Sequence, residues 1–355
     1  LIKYLGSKRR LVPALTAIAR AADARTAVDL FTGTTRVAQA FKGTGAHVTA
    51  VDSARYANVF AHCYIETDAA AVDAHELAAV LAGLDRLPGR PGYVTEVFCR
   101  QSRFFQPDNG ARIDAIRDAI ANDWAGSPLE PILLTSLIEA ADRVDSTTGV
   151  QMAYVKQWAD RSKQPLRLRV PELLDGGGTA LLGDALTVAP TLPAVDLAYL
   201  DPPYNQHRYT ANYHVWETLV AWDAPSHYGV ACKRAELREP ETRSVFNARR
   251  GMPVALRSVI EALDARLLVV SCSDEGWVTM DDLREWCAPR GHVEVLGFDS
   301  RRYVGAQIGV FNPQGERVGE PTRLRNVEYL ALCGDRSTVE RCVAAVAQMS
   351  APALS

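Results

Sequence analysis

Along residues 8–66 the apolar positions alternate between helical and strand spacing. Residues 8–22 carry a helical pattern, Thr26–Phe31 reads as a short buried strand and Thr35–Gly43 as a helix. His47–Asp52 follows as a strand and Ser53–Glu66 as a helix. This βαβ rhythm predicts a parallel sheet. From about residue 70 to 175 strand signals almost vanish. Helical stretches follow one another at Ala69–Leu84, Gly110–Trp124, Leu129–Val144 and Val150–Arg161, closed by a glycine-rich turn at Asp175–Thr179. Alternation then resumes, with strands expected at Ala180–Gly183, Val195–Leu200, Leu267–Cys272, Val293–Phe298 and Val327–Leu332. Residues 303–322 alternate around a hairpin-like turn at Asn312–Gly315. The expectation is one doubly wound, mostly parallel α/β domain formed by residues 1–66 and 176–355. A helical insertion, residues 67–175, interrupts it.

Composition changes this picture little. A chain of 355 residues with 48% hydrophobic and 23% charged residues has enough apolar surface for a sizeable core. Net charge is −3, yet the basic residues cluster, at Lys8–Arg10, around Arg100–Arg117, at Lys156–Arg169, at Lys233–Arg250 and at Arg301–Arg325. A local basic face is therefore compatible with a near-neutral total, as are solvated helix faces balanced by acids. The seven cysteines are scattered and form no CxxC pair, so neither a zinc site nor a disulfide framework is expected. A reducing, cytoplasmic compartment fits that pattern. No apolar run of transmembrane length and no leader-like segment is present.

Two segments carry chemistry. Asp29-Leu30-Phe31-Thr32-Gly33-Thr34 ends the first strand and precedes a helix. A glycine there lets backbone approach a ligand, and the helix start offers free N–H groups. Asp52 ends the second strand, where an acid can accept hydrogen bonds from ribose hydroxyls. The segment lacks G-x-G-x-x-G, which argues against a dinucleotide fingerprint. The second segment, Asp201-Pro202-Pro203-Tyr204, follows the apolar strand VDLAYL. Prolines at a strand end hold the backbone extended and stop a helix from starting. A carboxylate, a carbonyl and an aromatic ring are then fixed at one crevice. Alkylation of an exocyclic amine needs such a set: two acceptors for the amine's N–H groups and a ring face for the base.

With these residues in view, the chain resembles the D12 class of adenine-N6 DNA methyltransferases. Lys3-Tyr4-Leu5-Gly6-Ser7-Lys8, then Asp29–Gly33, then Asp201–Tyr204 stand in that class's order. Phe104–Pro107 with Asn109-Gly110 and Arg112–Asp114 is similar to its restriction-modification members. The resemblance implies a Rossmann-like methyltransferase sheet, S-adenosylmethionine as methyl donor with S-adenosylhomocysteine as product, and no metal. It implies double-stranded DNA as substrate and admits a cognate restriction endonuclease as partner. It assigns the methionine part of the cofactor to Tyr4 and Lys8 and the cofactor's adenine to Asp184. Asp29, Phe31, Gly33, Thr34 and Asp52 form the rest of that site, and Asp201, Pro202, Pro203 and Tyr204 the catalytic motif. One departure is Thr35, where the class often has a second glycine.

Target recognition is expected of the insertion, through Arg100, Arg103, Arg112 and Arg117 near Phe104 and Phe105. The alternative is a helical lid whose arginines are solvated or paired with Asp108 and Asp114. Tyr209 and Tyr213 are weaker candidates for contacts with DNA or an extruded base, ordinary packing being the alternative. His207 and His214 lack further ligands for a metal site. Ser271–Asp274, after a buried strand, is expected on the floor of the base pocket, a free structural cysteine at Cys272 being the equal alternative. Competing readings are an RNA adenine or guanine amino-methyltransferase, a catalytically inert DNA-binding subunit, and a hydride-transferring enzyme.

Overall fold

The computed structural model describes residues 2–155, 157–203, 208–274, 276–301, 310–311, 317–319 and 325–350. The strands are β1 (Thr26–Asp29), β2 (His47–Asp52), β3 (Thr179–Leu182), β4 (Val195–Leu200), β5 (His227–Tyr228), β6 (Lys233–Arg234), β7 (Ala265–Ser273), β8 (His292–Arg301), β9 (Val310–Phe311), β10 (Arg317–Gly319) and β11 (Arg325–Gly334). The helices are α1 (Val12–Ala21), α2 (Arg36–Lys42), α3 (Arg55–Ala61), α4 (Ala74–Asp85), α5 (Pro107–Asp123), α6 (Glu130–Arg143), α7 (Ala185–Val188), α8 (Tyr209–Asn212), α9 (His214–Ala221), α10 (Met252–Ala262), α11 (Met280–Cys287) and α12 (Arg336–Ser350).

Seven strands form one sheet in the order β3-β2-β1-β4-β7-β11-β8. Pairing is parallel from β3 to β7, and β11 alone runs antiparallel to both of its neighbours, β7 and β8. The doubly wound α/β class expected from the sequence is thus the fold. The strand order reverses between β1 and β4, the position where such sheets bind ligands beyond their carboxyl ends.

Strand alternation builds two cores. Ala27, Leu197, Tyr199, Leu267, Val269, Leu330 and Leu332 point to one face, whereas Val28, Ala198, Leu200, Leu268, Val270, Ala331 and Cys333 point to the other. The period of two along each strand makes this division unavoidable. The first face packs on α1, through Ala14, Leu15, Ile18 and Ala19, and on α12. It also receives the insertion: Leu77 and Leu81 of α4, Ile113 and Ile116 of α5, and Ile132, Leu133 and Leu137 of α6 join the same core. Residues of α4, α5 and α6 therefore share one core with the first face of the sheet. The second face is covered by α7, α10 and α11.

Polar side chains fix the joins. Asp196 at the start of β4 accepts from the backbone N–H groups of Arg25 and Thr26, at 2.9 and 3.0 Å, and so sets the β1–β4 register. Lys42, at the end of α2, donates to the carbonyls of Tyr64, Ile65 and Thr67 where the insertion begins. The helix expected over 150–161 does not form: among the described residues, 150–155 and 157–159 are turns, bends and irregular chain, and Asp160–Lys163 is a short 3₁₀ turn. Here Gln151 leaves the pattern to accept from the N–H of Val215 and to offer its carbonyl to His214. The expected hairpin is present as the antiparallel β9–β10 pair; its turn at Asn312–Gly315 lies outside the described residues.

Candidate active site

Asp29 and Asp201 stand at the carboxyl ends of the neighbouring strands β1 and β4, on either side of the topological switch. The loop after β1 turns sharply. Thr32 Oγ1 donates to Asp29 at 3.0 Å, and the Gly33 N–H donates to Asp52 at 2.8 Å. Asp52 also accepts from the Ala54 N–H at 2.9 Å, so one carboxylate ties the β1 and β2 loops together. Gly33 has φ +51°, and a Cβ there would lie 2.9 Å from the Tyr4 hydroxyl. Thr35, the departure from the expected glycine, has φ +59°. It keeps the backbone that favours glycine, and its hydroxyl compensates by donating to the Thr34 carbonyl and accepting from Gln39.

The N-terminal segment folds back over this loop. Tyr4 stacks on Tyr213 with ring centroids 4.8 Å apart and on Tyr209 at 5.4 Å. Lys8 is buried, and its Nζ lies 3.1 Å from Asp201 Oδ1 and 3.7 Å from Glu328 Oε2. Two adjoining clefts result. The larger lies between Tyr4, Phe31, Asp52, Asp184, Asp201, Pro203 and Tyr209 on one side and Thr242, Ser244, Phe246 and Asn247 on the other. The smaller is bounded by Tyr4, Lys8, Asp29, Gly33, Thr34 and Asp201. Asp184 caps α7 by accepting from the Leu186 N–H at 2.9 Å.

Burial dominates the electrostatics. It pushes Asp29 up to about 7, helped by the nearby charges of Asp201 and Asp52 and opposed by the Thr32 hydroxyl. Burial likewise raises Asp201 to about 6, against the pull of Lys8, while Glu328 adds to the rise. Asp52 is raised by burial and held back by the backbone N–H groups it accepts. A crevice in which carboxylates crowd and resist ionisation favours a cationic ligand.

The sequence-derived cofactor residues Tyr4, Lys8, Asp29, Phe31, Gly33, Thr34, Asp52 and Asp184 thus converge with Asp201 and Pro203 on these two clefts. Pro202 is buried beside them, and Tyr204 and His207 lie outside the described residues. Sequence reading missed Tyr56, whose hydroxyl is 3.4 Å from that of Tyr4, the wall at 242–247, and Glu328. Phe246 packs edge-on against Phe31 at 5.0 Å, yet sits in an arginine-rich stretch that reads as loop. Glu328 had a signal: it is an acid inside an otherwise apolar strand pattern.

Several expected DNA contacts are placed elsewhere. Arg117 is 4% exposed and donates to the carbonyls of Leu219 and Val220 at the end of α9, so it serves the fold. Arg112 is spent on the carbonyls of Leu166 and Asp85 and on the Asp85 carboxylate. Tyr213 is buried, accepts from the Leu5 N–H at 2.6 Å and packs its ring against Tyr4, Tyr56 and Tyr209. Phe104 and Phe105 are core residues. Arg100 stays exposed beside Glu96, and Arg103 lies over the Trp158 ring at 4.7 Å. Asp114 is not an arginine partner: it accepts from the backbone of Gly92, Val94 and Thr95. His214 is buried against the Gln151 carbonyl and pushed down to about 3. Among the described residues no cluster of three potential metal ligands occurs, and no helix is long and apolar enough to cross a membrane.

Comparison with known proteins agrees with this geometry. The type II methyltransferase M.NlaIII of Neisseria lactamica is 29% identical over 318 residues, covering 85% of this chain and 92% of the relative. Type II methyltransferase M.CviAII of Paramecium bursaria Chlorella virus 1 is 29% identical over 225 residues, 61% of this chain and 66% of the relative. The modification methylase StsI of Streptococcus sanguinis is 27% identical over 330 residues, 86% of this chain but only 50% of the relative. The family description that fits residues 4–250 spans the N-terminal segment, both loops and the Asp201 motif, and by it the chain belongs to the D12 class N6 adenine-specific DNA methyltransferases.

Proposed function

We propose that this chain transfers the methyl group of S-adenosylmethionine to N6 of an adenine swung out of duplex DNA, at a specific sequence and within a restriction-modification system. The observation that carries the reading is Asp201 at the switch point, paired with Lys8 at 3.1 Å and sharing a crevice with the Gly33–Asp52 loop. The residues fit the donor. Crowded carboxylates with raised values suit a ligand bearing a sulfonium and an ammonium. Gly33 leaves room against Tyr4, and Asp52 and Asp184 offer acceptors to ribose and adenine. When bound, the donor supplies an activated methyl group.

The chain's own part is to bind, orient and accept a proton. Adenine N6 is a weak nucleophile because its lone pair is delocalised into the ring. Asp201 and the Pro202 carbonyl would accept its two N–H groups, and the aromatic of the motif, Tyr204, would take the ring face, with Tyr209 at the cleft wall. The insertion, residues 67–175, would read the target, with Arg100 and Arg103 at its surface as the remaining arginine candidates. A nuclease cutting the same site is the partner such a system needs. Incubating the protein with labelled donor and either duplex DNA or RNA, then digesting to nucleosides, tests the reading. Label in N6-methyladenine from DNA is expected; label only in RNA, or only on another base, would refute it.

A further inference from the structure

Glu328 occupies a place that strand packing does not require. β11 is apolar beyond it, with Leu330, Ala331 and Leu332 fully buried. Because β11 is reversed in the sheet, its amino-terminal end meets the carboxyl end of β7, with Glu328 opposite Ser273. This brings Glu328 to the site edge, where its Oε2 lies 3.7 Å from Lys8 Nζ. Lys8 is 5% exposed and is shared between two carboxylates, each 18% exposed, from β11 and from the end of β4.

We propose that Glu328 is a positioning residue for methyl transfer: it holds Lys8 between two carboxylates and so keeps Asp201 basic enough to take the proton that adenine N6 sheds. The inference rests on the function proposed above and deepens it. In that reaction an N–C bond forms at N6, the methyl–sulfur bond breaks and its electron pair stays on sulfur. The surplus proton on nitrogen passes to the Asp201 carboxylate and from there to water. A lone ammonium against Asp201 would make it a poor base; a second carboxylate draws part of that charge away.

The groups facing Asp201 allow the effect to be isolated. They are Lys8 from the N-terminal segment, Glu328 from β11, Asp29 from β1, Tyr199 from β4, and Ser271 and Cys272 from β7. Burial raises Tyr199 and pushes Cys272 up to about 12, so both stay neutral over the relevant range. Asp29 titrates near 7 but is common to the wild type and any Glu328 variant.

The test is kcat against pH, from 5 to 9, on a duplex DNA substrate. The wild type should lose activity on the acid side near pH 6, where Asp201 becomes protonated. Glu328→Gln should move that limb down by about one pH unit and lower the plateau kcat roughly three- to ten-fold, with KM for the methyl donor unchanged. Glu328→Asp, which keeps the charge but withdraws it, should move the limb the same way by less; it carries the test if Glu328→Gln does not fold. Limbs that coincide with the wild type, or a loss expressed only in KM, would overturn the proposal. A wild type that methylates adenine but shows no acid limb would overturn it too. A wild type that transfers no methyl group to adenine at any pH would instead refute the proposed function.

Discussion

Replacing Gly33 by valine places a branched side chain where the loop and Tyr4 leave none. The residue has φ +51°, a conformation that costs an L-residue about 1–2 kcal/mol. Its Cβ would lie 2.9 Å from the Tyr4 hydroxyl and 3.1 Å from Cε1. Tyr4 cannot simply turn away, because it is stacked on Tyr213 and Tyr209 and its hydroxyl faces Tyr56. Overpacking of this kind adds about 1–3 kcal/mol. The loop can relieve the strain only by drawing the Gly33 N–H away from Asp52, which opens the ligand site. The expected penalty is about 2–5 kcal/mol in total, divided between a lower melting temperature and a loss of affinity for S-adenosylhomocysteine, where each ~1.4 kcal/mol is about tenfold. Gly33→Ala should fall between the two. Calorimetric titration beside a thermal melt measures both terms. A folded Gly33→Val protein with wild-type affinity and melting temperature would refute the reasoning.

Three further outcomes follow from the same geometry. Asp52→Ala removes an acceptor from the Gly33 and Ala54 N–H groups as well as from the ligand, so cofactor affinity should fall by about 1–3 kcal/mol, read by calorimetry. Burial raises Asp29 to about 7, so ionising it weakens the unliganded fold as pH climbs from about 4 through 7, while a cationic ligand favours the ionised form. Cofactor affinity should therefore rise as pH climbs towards 7 and level off above it, with proton release over the rise, and identical heats below pH 7 in buffers of different ionisation enthalpy would contradict this. Arg117→Ala leaves the Leu219 and Val220 carbonyls without their donor and should lower stability by about 1–3 kcal/mol, whereas Arg100→Ala should stay within about 0.5 kcal/mol. Equal melting temperatures for the two variants would show that the burial argument is wrong.

Local pattern carried the reading furthest where one segment supplies both its own geometry and its chemistry. The apolar run Val195–Leu200 ending in Asp201-Pro202-Pro203 announced a buried strand and a held turn, and the turn lies at the sheet's switch point. The Asp29–Thr34 loop was legible for the same reason. Residues whose role depends on a distant partner were not. Arg112 and Arg117 read as candidates for DNA because sequence does not reveal the carbonyls of Leu166, Leu219 and Val220 that occupy them. The stretch 150–161 has helical spacing, but contacts with Val215 and His214 outweigh local propensity there. Glu328 reaches Lys8 only because β11 enters the sheet reversed, a feature of topology that spacing along the chain does not encode.

The central claim is most directly tested by expressing the chain in a bacterium that lacks DNA methylation and sequencing its genome with detection of modified bases. N6-methyladenine is expected at one recurring short sequence, lost entirely in Asp201→Ala while that variant still binds S-adenosylhomocysteine. An unmodified genome from a folded, cofactor-binding protein, or the same methylation from Asp201→Ala, would contradict it.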